Sequence, residues 1–409
     1  MLLEFSYENF LSFKEKVTFS MVATTLRDRK VKAEECTFTV GDEIKLSLCK
    51  AAAVFGANAS GKSNFVKALS FYKWFILNSS KDRQSGEEIP VKPFALSSDT
   101  KGVPSMFEAV ICIEDNFYRF GFEVDGTNVV SEWLYVRSSK KRSKEIELFY
   151  RNGLKCEIHQ RFGIGKELTD KGMLRSNALL LSLAGQFNEP TAVSIMRWLV
   201  DTTIIIGSSE KEAWDWAVSK LDDEKVRRKI VAFSRYADLG MEDITKGDAG
   251  VLSSHTSYDE NGNPTGHAVF PMREAESDGT IKYFSLAFPI IDALENGKRL
   301  IVDEFGAKLH TLLIERIVSL FNSENANRNK AQLVVTLHDT NLLGSNILRR
   351  DQIWFTRKDG YGACSMYALS DYKVRNDASY EKDYLLGKYG ATPIMDDLSK
   401  VLEKDERKI

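Results

Sequence analysis

One stretch of the chain has the residue types and spacing of a phosphate-binding loop: Gly56-Ala57-Asn58-Ala59-Ser60-Gly61-Lys62-Ser63, with Asn64 directly after it. Glycines let such a backbone curl so that successive N–H groups converge on phosphate oxygens. A helix beginning near Lys62 adds the positive end of its dipole. In this P-loop pattern Lys62 reaches the β- and γ-phosphates, and the Ser63 hydroxyl takes a ligand position on Mg²⁺. The elements needed to position the loop flank it. Residues 51–55 (Ala-Ala-Ala-Val-Phe) form a short buried run ending at Gly56. Apolar residues at 65, 66, 69, 72, 75 and 76 then recur with helical spacing and fade at Asn78.

Three further motifs follow in order. Arg299-Leu-Ile-Val302 reads as an apolar strand ending in Asp303-Glu304, whose side chains diverge by strand alternation. Asp303 suits the Mg²⁺ shell, and Glu304 suits polarising an attacking water as general base. Earlier, Glu276-Ser277-Asp278-Gly279-Thr280 precedes a helical pattern. Ser277 is a good N-cap and Gly279 permits close approach of a ligand to backbone, although alone this is an ordinary helix cap. Last, Val334-Val-Thr336-Leu-His338-Asp339 is a strand followed by a histidine able to bond a γ-phosphate oxygen; in isolation it reads as a strand-end histidine. The order of the four motifs is what gives each its meaning.

That order resembles the ABC-type ATPases of the SMC and RecF branch, as does the opening Glu8-Asn9-Phe10-Leu11-Ser12-Phe13. The chain also resembles the OLD-like and RloA-type ATP-binding proteins of bacterial anti-phage defence loci. That likeness rests on Glu276–Thr280, on Asp303-Glu304 with His310 following, and on Leu337-His338-Asp339-Thr340. Arg350-Asp351-Gln352-Ile353-Trp354-Phe355 and the terminal Leu386-Gly387-Lys388-Tyr389-Gly390-Ala391-x-Pro393 extend it. The resemblance implies an α/β fold, a P-loop NTPase of ABC-ATPase head type with a mixed α+β insert, using ATP and Mg²⁺. It implies two heads meeting head to tail, with Ser277 and Gly279 facing the γ-phosphate bound by Lys62 of a partner subunit. Glu304 becomes the catalytic carboxylate and His338 the switch histidine, both in the subunit that supplies Lys62. There are departures. Glu-Ser-Asp-Gly-Thr replaces the transporter-like Leu-Ser-Gly-Gly-Gln, which implies slow turnover. The glutamine that helps hold Mg²⁺ in many such ATPases should fall in 93–110, where no glutamine occurs.

The chain has 409 residues, 43% hydrophobic and 28% charged, enough to build a sizeable core and to exclude a disordered protein. Lys+Arg 56 nearly cancels Asp+Glu 58, so no global basic field points to nucleic acid. The five cysteines are scattered without a Cys-x-x-Cys pair, which excludes a zinc hook and fits reduced thiols in a cytoplasmic protein. The N-terminus lacks a secretion signal, and no apolar stretch is long enough to span a bilayer. Strand texture runs through 105–160, helical texture through 174–200 and 211–238, and 259–264 looks like a hairpin tip. This organisation gives an N-terminal part of the head at 1–94, a mixed insert at 95–265, a C-terminal part of the head at 266–370 and an extension at 371–409. The basic run at 137–144 is either a solvated hairpin tip or a phosphate contact. His159, His255 and His267 have no metal-ligand spacing, and no nuclease constellation stands outside the ATPase motifs.

Two functional classes follow. One is a nucleotide-gated homo-oligomer that senses infection and controls a toxic effector protein, such as a nuclease encoded nearby. The other is a RecF-like clamp that closes on DNA when ATP binds. Near-zero charge and the OLD-like C-terminus favour the first; DNA or a phage protein stays open as a further partner, and no membrane is involved.

Overall fold

The computed structural model describes residues 1–26, 31–81, 84, 86–236, 240–248, 250–375 and 378–393. Residues 376, 377 and 394–409, nearly half of the expected extension at 371–409, lie outside the described residues.

Five strands, largely apolar and without strict alternation, form one parallel sheet, as expected where both faces are covered. Its order is Thr202–Ile205, Arg299–Val302, Gln332–Leu337, Ala51–Phe55, Ile353–Lys358, with Cys364–Ala368 added antiparallel at the edge. Ala51–Phe55 sits between Gln332–Leu337 and Ile353–Lys358, in register Ala53↔Val335 and Ala53↔Ile353. Its residues divide between two cores. Ala52 and Val54 face the helix Lys62–Asn78, whereas Ala51, Ala53 and Phe55 share a core with the helices Asp278–Asn296 and Thr311–Asn322. The latter helix pair brings Leu286, Ile290, Ile314 and Ile317.

A seven-stranded antiparallel sheet covers the other side of Lys62–Asn78. Its order is Lys155–Ile158, Ile146–Asn152, Val129–Ser138, Asn116–Val124, Ser105–Ile113, Leu2–Glu8, Val17–Ser20. The helix is therefore sandwiched and buries aromatics on both faces. Phe71 lies 4.9 Å from Phe107, and Tyr72 stacks on Phe122 at 5.6 Å. Such pairs add about 0.5–1.5 kcal/mol each beyond the area they bury.

Two expected helices are each broken in two. In 174–200 the chain forms Leu180–Gln186 and Pro190–Val200, because Pro190 starts a helix and Glu189 caps it by accepting from Ala192 N at 2.8 Å. In 211–238 it forms Glu210–Ser219 and Glu224–Ser234, because the Asp223 carboxylate accepts from Lys225 N and Val226 N. A three-stranded sheet follows (Met241–Gly247, Gly250–Tyr258, Pro264–Pro271), with the expected tip closed by Asp259 accepting from Asn261 N and Asn263 N. No described helix is long and apolar enough to cross a membrane.

Where the antiparallel sheet meets the helices of the insert, the side chains of Glu132 and Arg151 are fully buried and paired at 3.2 Å. Glu132 also accepts from Leu180 N and Leu181 N, at 2.7 and 2.9 Å, fastening the first turn of Leu180–Gln186 to the sheet. Arg151 spends its remaining donors on the carbonyls of Gly153, Arg175, Ser176 and Ala178. Removing one partner strands a buried charge, which costs about 3–5 kcal/mol. Glu132→Ala is therefore expected to lower the unfolding free energy by about that amount in a denaturant titration. A loss below about 1 kcal/mol would contradict the pairing.

Candidate functional site

The loop after Ala51–Phe55 is shaped by contacts from distant parts of the chain. Gly61 has φ 108°, and a Cβ there would stand 2.9 Å from Phe13 Cζ and 3.0 Å from Cys364 Cβ. Glycine is thus required by both conformation and space. The Ser60 hydroxyl bonds that of Thr356 at 2.6 Å, tying the loop to the neighbouring strand. Asn64 Nδ2 donates to Ser12 Oγ at 2.8 Å, and the Ser12 carbonyl accepts from Cys364 N at 2.7 Å. The turn Asn9–Phe13 is thereby locked beneath the first turn of the helix. Ala57 N donates to the Ala391 carbonyl at 3.1 Å, so the far end of the described chain also touches the loop.

Lys62 lies at the start of its helix, 4% exposed, and donates to the carbonyls of Gly56 and Ala57 at 2.6 and 2.9 Å. Burial lowers its pKa to about 8, against the pull of Asp303 and Glu304. Asp303 follows Arg299–Val302 and accepts from Thr336 Oγ1 through Oδ1 at 2.5 Å. Glu304, the next residue, has φ 49°; its N–H donates to Thr336 Oγ1 at 2.9 Å and its carbonyl accepts from Lys282 Nζ at 2.8 Å. His338 follows Gln332–Leu337 and is exposed. Partial burial lowers its pKa first and nearby Lys62 second, while Glu304 and Asp303 oppose the shift. The structure thus brings Lys62, Asp303, Glu304 and His338 within electrostatic reach of one another, at the C-terminal edge of the parallel sheet.

Ser277 and Gly279 lie at the start of the helix Asp278–Asn296. Ser277 Oγ accepts from Thr280 N at 3.1 Å and caps Asp278–Asn296. A Cβ on Gly279 would meet the Lys308 carbonyl at 2.6 Å, and Lys308 pairs with Asp278 at 3.2 Å. Among the described residues no hydrogen bond joins this cap to the P-loop of the same chain. Glu276 is held by Ser253 Oγ at 2.6 Å and His255 Nε2 at 2.7 Å, which fastens the cap to the three-stranded sheet. His310 Nδ1 accepts from Leu312 N and caps Thr311–Asn322.

No group of three or more His, Cys, Asp or Glu side chains among the described residues could hold a metal ion unaided. The donor set fits a cation of the Mg²⁺ type that is shared with phosphate. Such ions take one or two protein oxygens and complete their shell from phosphate and water. The Ser63 hydroxyl and Asp303 Oδ2 have no partner among the described residues, so both are available as ligands. The roles of Thr336, Thr356 and Lys282 have no motif in the sequence to mark them, and Ala391 stands in a quoted motif that gives no hint of its contact with the loop. Thr336 lies inside a quoted motif, but the pattern reads its strand only as apolar. Lys282 interrupts an apolar helix and was a signal that could have been used. Lys140, Lys141, Arg142 and Lys144 are exposed at the hairpin tip between Val129–Ser138 and Ile146–Asn152.

Comparison with known proteins gives three results. A search of curated protein sequences finds no match. Solved structures aligned over 90% of this chain include the SMC head domain from Thermotoga maritima, with 13% identity, 98% of that chain covered and a TM-score of 0.39. The recombination mediator protein RecF with ATP aligns at 12% identity over 97% of its chain, TM-score 0.35, and its ATPrS form at 12% over 98%, TM-score 0.34. A family model described as "AAA domain, putative AbiEii toxin, Type IV TA system" matches residues 51–344, from the strand before the P-loop to beyond His338. With the P-loop at the C-terminal edge of a parallel sheet, the fold is α/β of the P-loop NTPase type, and the chain belongs to this AAA-domain family.

Proposed function

We propose that this chain binds ATP with Mg²⁺ at Gly56–Asn64 and hydrolyses it at head-to-tail interfaces between copies of itself. The observation that carries the reading is the convergence of Lys62, Asp303, Glu304 and His338 on one edge of the sheet, while Ser277 caps a separate helix and, among the described residues, makes no hydrogen bond to the P-loop of its own chain. The amides of the loop cradle the phosphates, and the Lys62 ammonium exchanges the carbonyls of Gly56 and Ala57 for phosphate oxygen. Ser63 and Asp303 would hold Mg²⁺, which would supply neutralisation of phosphate charge. Glu304 takes the proton of the attacking water. His338, its pKa lowered, stays neutral and donates a hydrogen bond to the γ-phosphate. Ser277 and Gly279 of a second copy complete the site, so hydrolysis requires assembly, and nucleotide state becomes a conformational signal.

In this reading the ATPase is the sensor of an anti-phage system of the OLD-like or RloA type, and controls a toxic effector protein such as a nuclease. The near balance of charge and a family named for a toxin of a toxin–antitoxin system support it. The exposed Lys140–Lys144 tip supports the alternative, a RecF-like clamp on DNA; duplex binding by the purified protein that falls steeply with salt would favour it.

Two measurements test the chemistry. Glu304→Gln is expected to keep ATP binding and to lose about 100-fold or more in phosphate release. Undiminished turnover would remove Glu304 as base. Lys62 is protonated below about pH 8 in the free protein and neutral above it. ATP affinity, measured with a fluorescent analogue, should hold below that pH and then weaken by up to about tenfold per unit above it. Lys62→Met should remove this dependence; a wild-type profile that stays flat from pH 7 to 10 would contradict the placement of the lysine.

A further inference from the structure

We infer that Thr336 and Lys282 are positioning residues for Glu304, gripping its two main-chain polar groups so that its carboxylate is aimed jointly by the strand leading to His338 and by the helix that Ser277 caps. The inference rests on the ATPase reading above and adds a means of regulating that site.

Glu304 is a non-glycine residue in left-handed backbone conformation, φ 49°, which L-residues rarely adopt without support. Its support comes from both sides. The N–H donates to Thr336 Oγ1 at 2.9 Å, and the carbonyl accepts from Lys282 Nζ at 2.8 Å as well as from Ala307 N at 3.1 Å. A hydroxyl has one proton and two lone pairs. The Thr336 proton is committed to Asp303 Oδ1 at 2.5 Å, which leaves a lone pair for the Glu304 amide. One fully buried side chain therefore orients both carboxylate-bearing residues at once. The parallel register explains its position. Val302 pairs with Val335, so Thr336 is the first residue past the paired segment, level with Asp303 and Glu304.

Lys282 comes from the opposite side. It lies five residues after Ser277 on Asp278–Asn296, its side chain 8% exposed, and it divides its ammonium between the Glu304 carbonyl and Glu210 Oε1 at 3.4 Å. Burial lowers its pKa, and Glu210 and Glu304 oppose that shift. A cavity of about 420 Å³, lined by Glu210, Trp214, Arg273, Lys282 and Asp303 among others, lies beside it and leaves the ammonium room to move. A shift of this helix when Ser277 engages nucleotide on a second copy would thus be passed through Lys282 to the Glu304 carbonyl. That links the cap presented to the neighbour with the base that serves the chain's own nucleotide.

The test uses full-length protein and reads kcat, the affinity for a fluorescent ATP analogue and the melting temperature of each variant. Thr336→Val, the same shape without the hydroxyl, should lower kcat about tenfold or more while leaving nucleotide affinity within about threefold. Thr336→Ser should restore most of the rate. In a Glu304→Gln background the valine change should cost little further, because the two residues act as one unit. Lys282→Met, on a separate element, makes the same prediction independently of the packing of the strand. Wild-type turnover with an unaltered Thr336→Val rate, or losses that add fully to that of Glu304→Gln, would overturn the inference and leave the ATPase reading standing. No turnover by wild-type protein at any concentration would overturn both.

Discussion

The site depends on one constraint: Ala51–Phe55 is held in parallel register between Gln332–Leu337 and Ile353–Lys358, buried on both faces. Parallel strands end on the same edge, so whatever follows each strand is delivered to one place. The P-loop follows the first of these strands, His338 the second, and Asp303 follows Arg299–Val302, one place further along the sheet. Thr356 belongs to the third and reaches the loop through Ser60. The three alanines at 51–53 let helices approach both faces of the strand closely, and no polar side chain on it needs a partner. Shifting this strand would separate the lysine from the carboxylates without changing any of them.

The P-loop itself is finished by segments near both ends of the described residues. Ser12 and Phe13 come from the first turn, Cys364 from the edge strand, and Ala391 from the far end of the described chain. Behind Ala391, Tyr384 and Tyr389 stack on Phe355, centroids 5.5 and 5.2 Å away, and Tyr384 also bonds the Ala391 carbonyl. The Ala391 carbonyl thus ties the loop to Tyr384 and, through its ring, to Phe355 on the neighbouring strand.

Much of the head was legible in the sequence, for identifiable reasons. Largely apolar runs mark 51–55, 299–302 and 331–337, since strands covered on both faces carry few polar positions, Arg299, Gln332 and Thr336 being the exceptions. Asp278–Asn296 was legible despite Pro289, because the Ser277 cap and the apolar spacing outweigh one missing donor. The breaks at Pro190 and Asp223 were missed because apolar spacing continues across them while a cap restarts the helix. The Glu132–Arg151 pair and the Thr336–Glu304–Lys282 contacts were illegible for a different reason. Each joins residues remote in sequence through buried polar atoms, and no local pattern records which carbonyl a lysine will meet. Net charge says nothing of distribution: the exposed basic run at 137–144 is legible from the local residues and not from a balance near zero.

The central claim is that the nucleotide site is shared between copies of the chain, and mixing two defective proteins tests it directly. Lys62→Met disables the P-loop, and Ser277→Arg disables the cap that a second copy must present. Each alone should hydrolyse essentially no ATP. In a head-to-tail dimer with two sites, an equimolar mixture forms one intact composite site in each mixed pair. The expected result is recovery of roughly a quarter of the wild-type rate, rising with protein concentration. Full activity of Ser277→Arg alone, or no recovery on mixing, would show that the site is not shared.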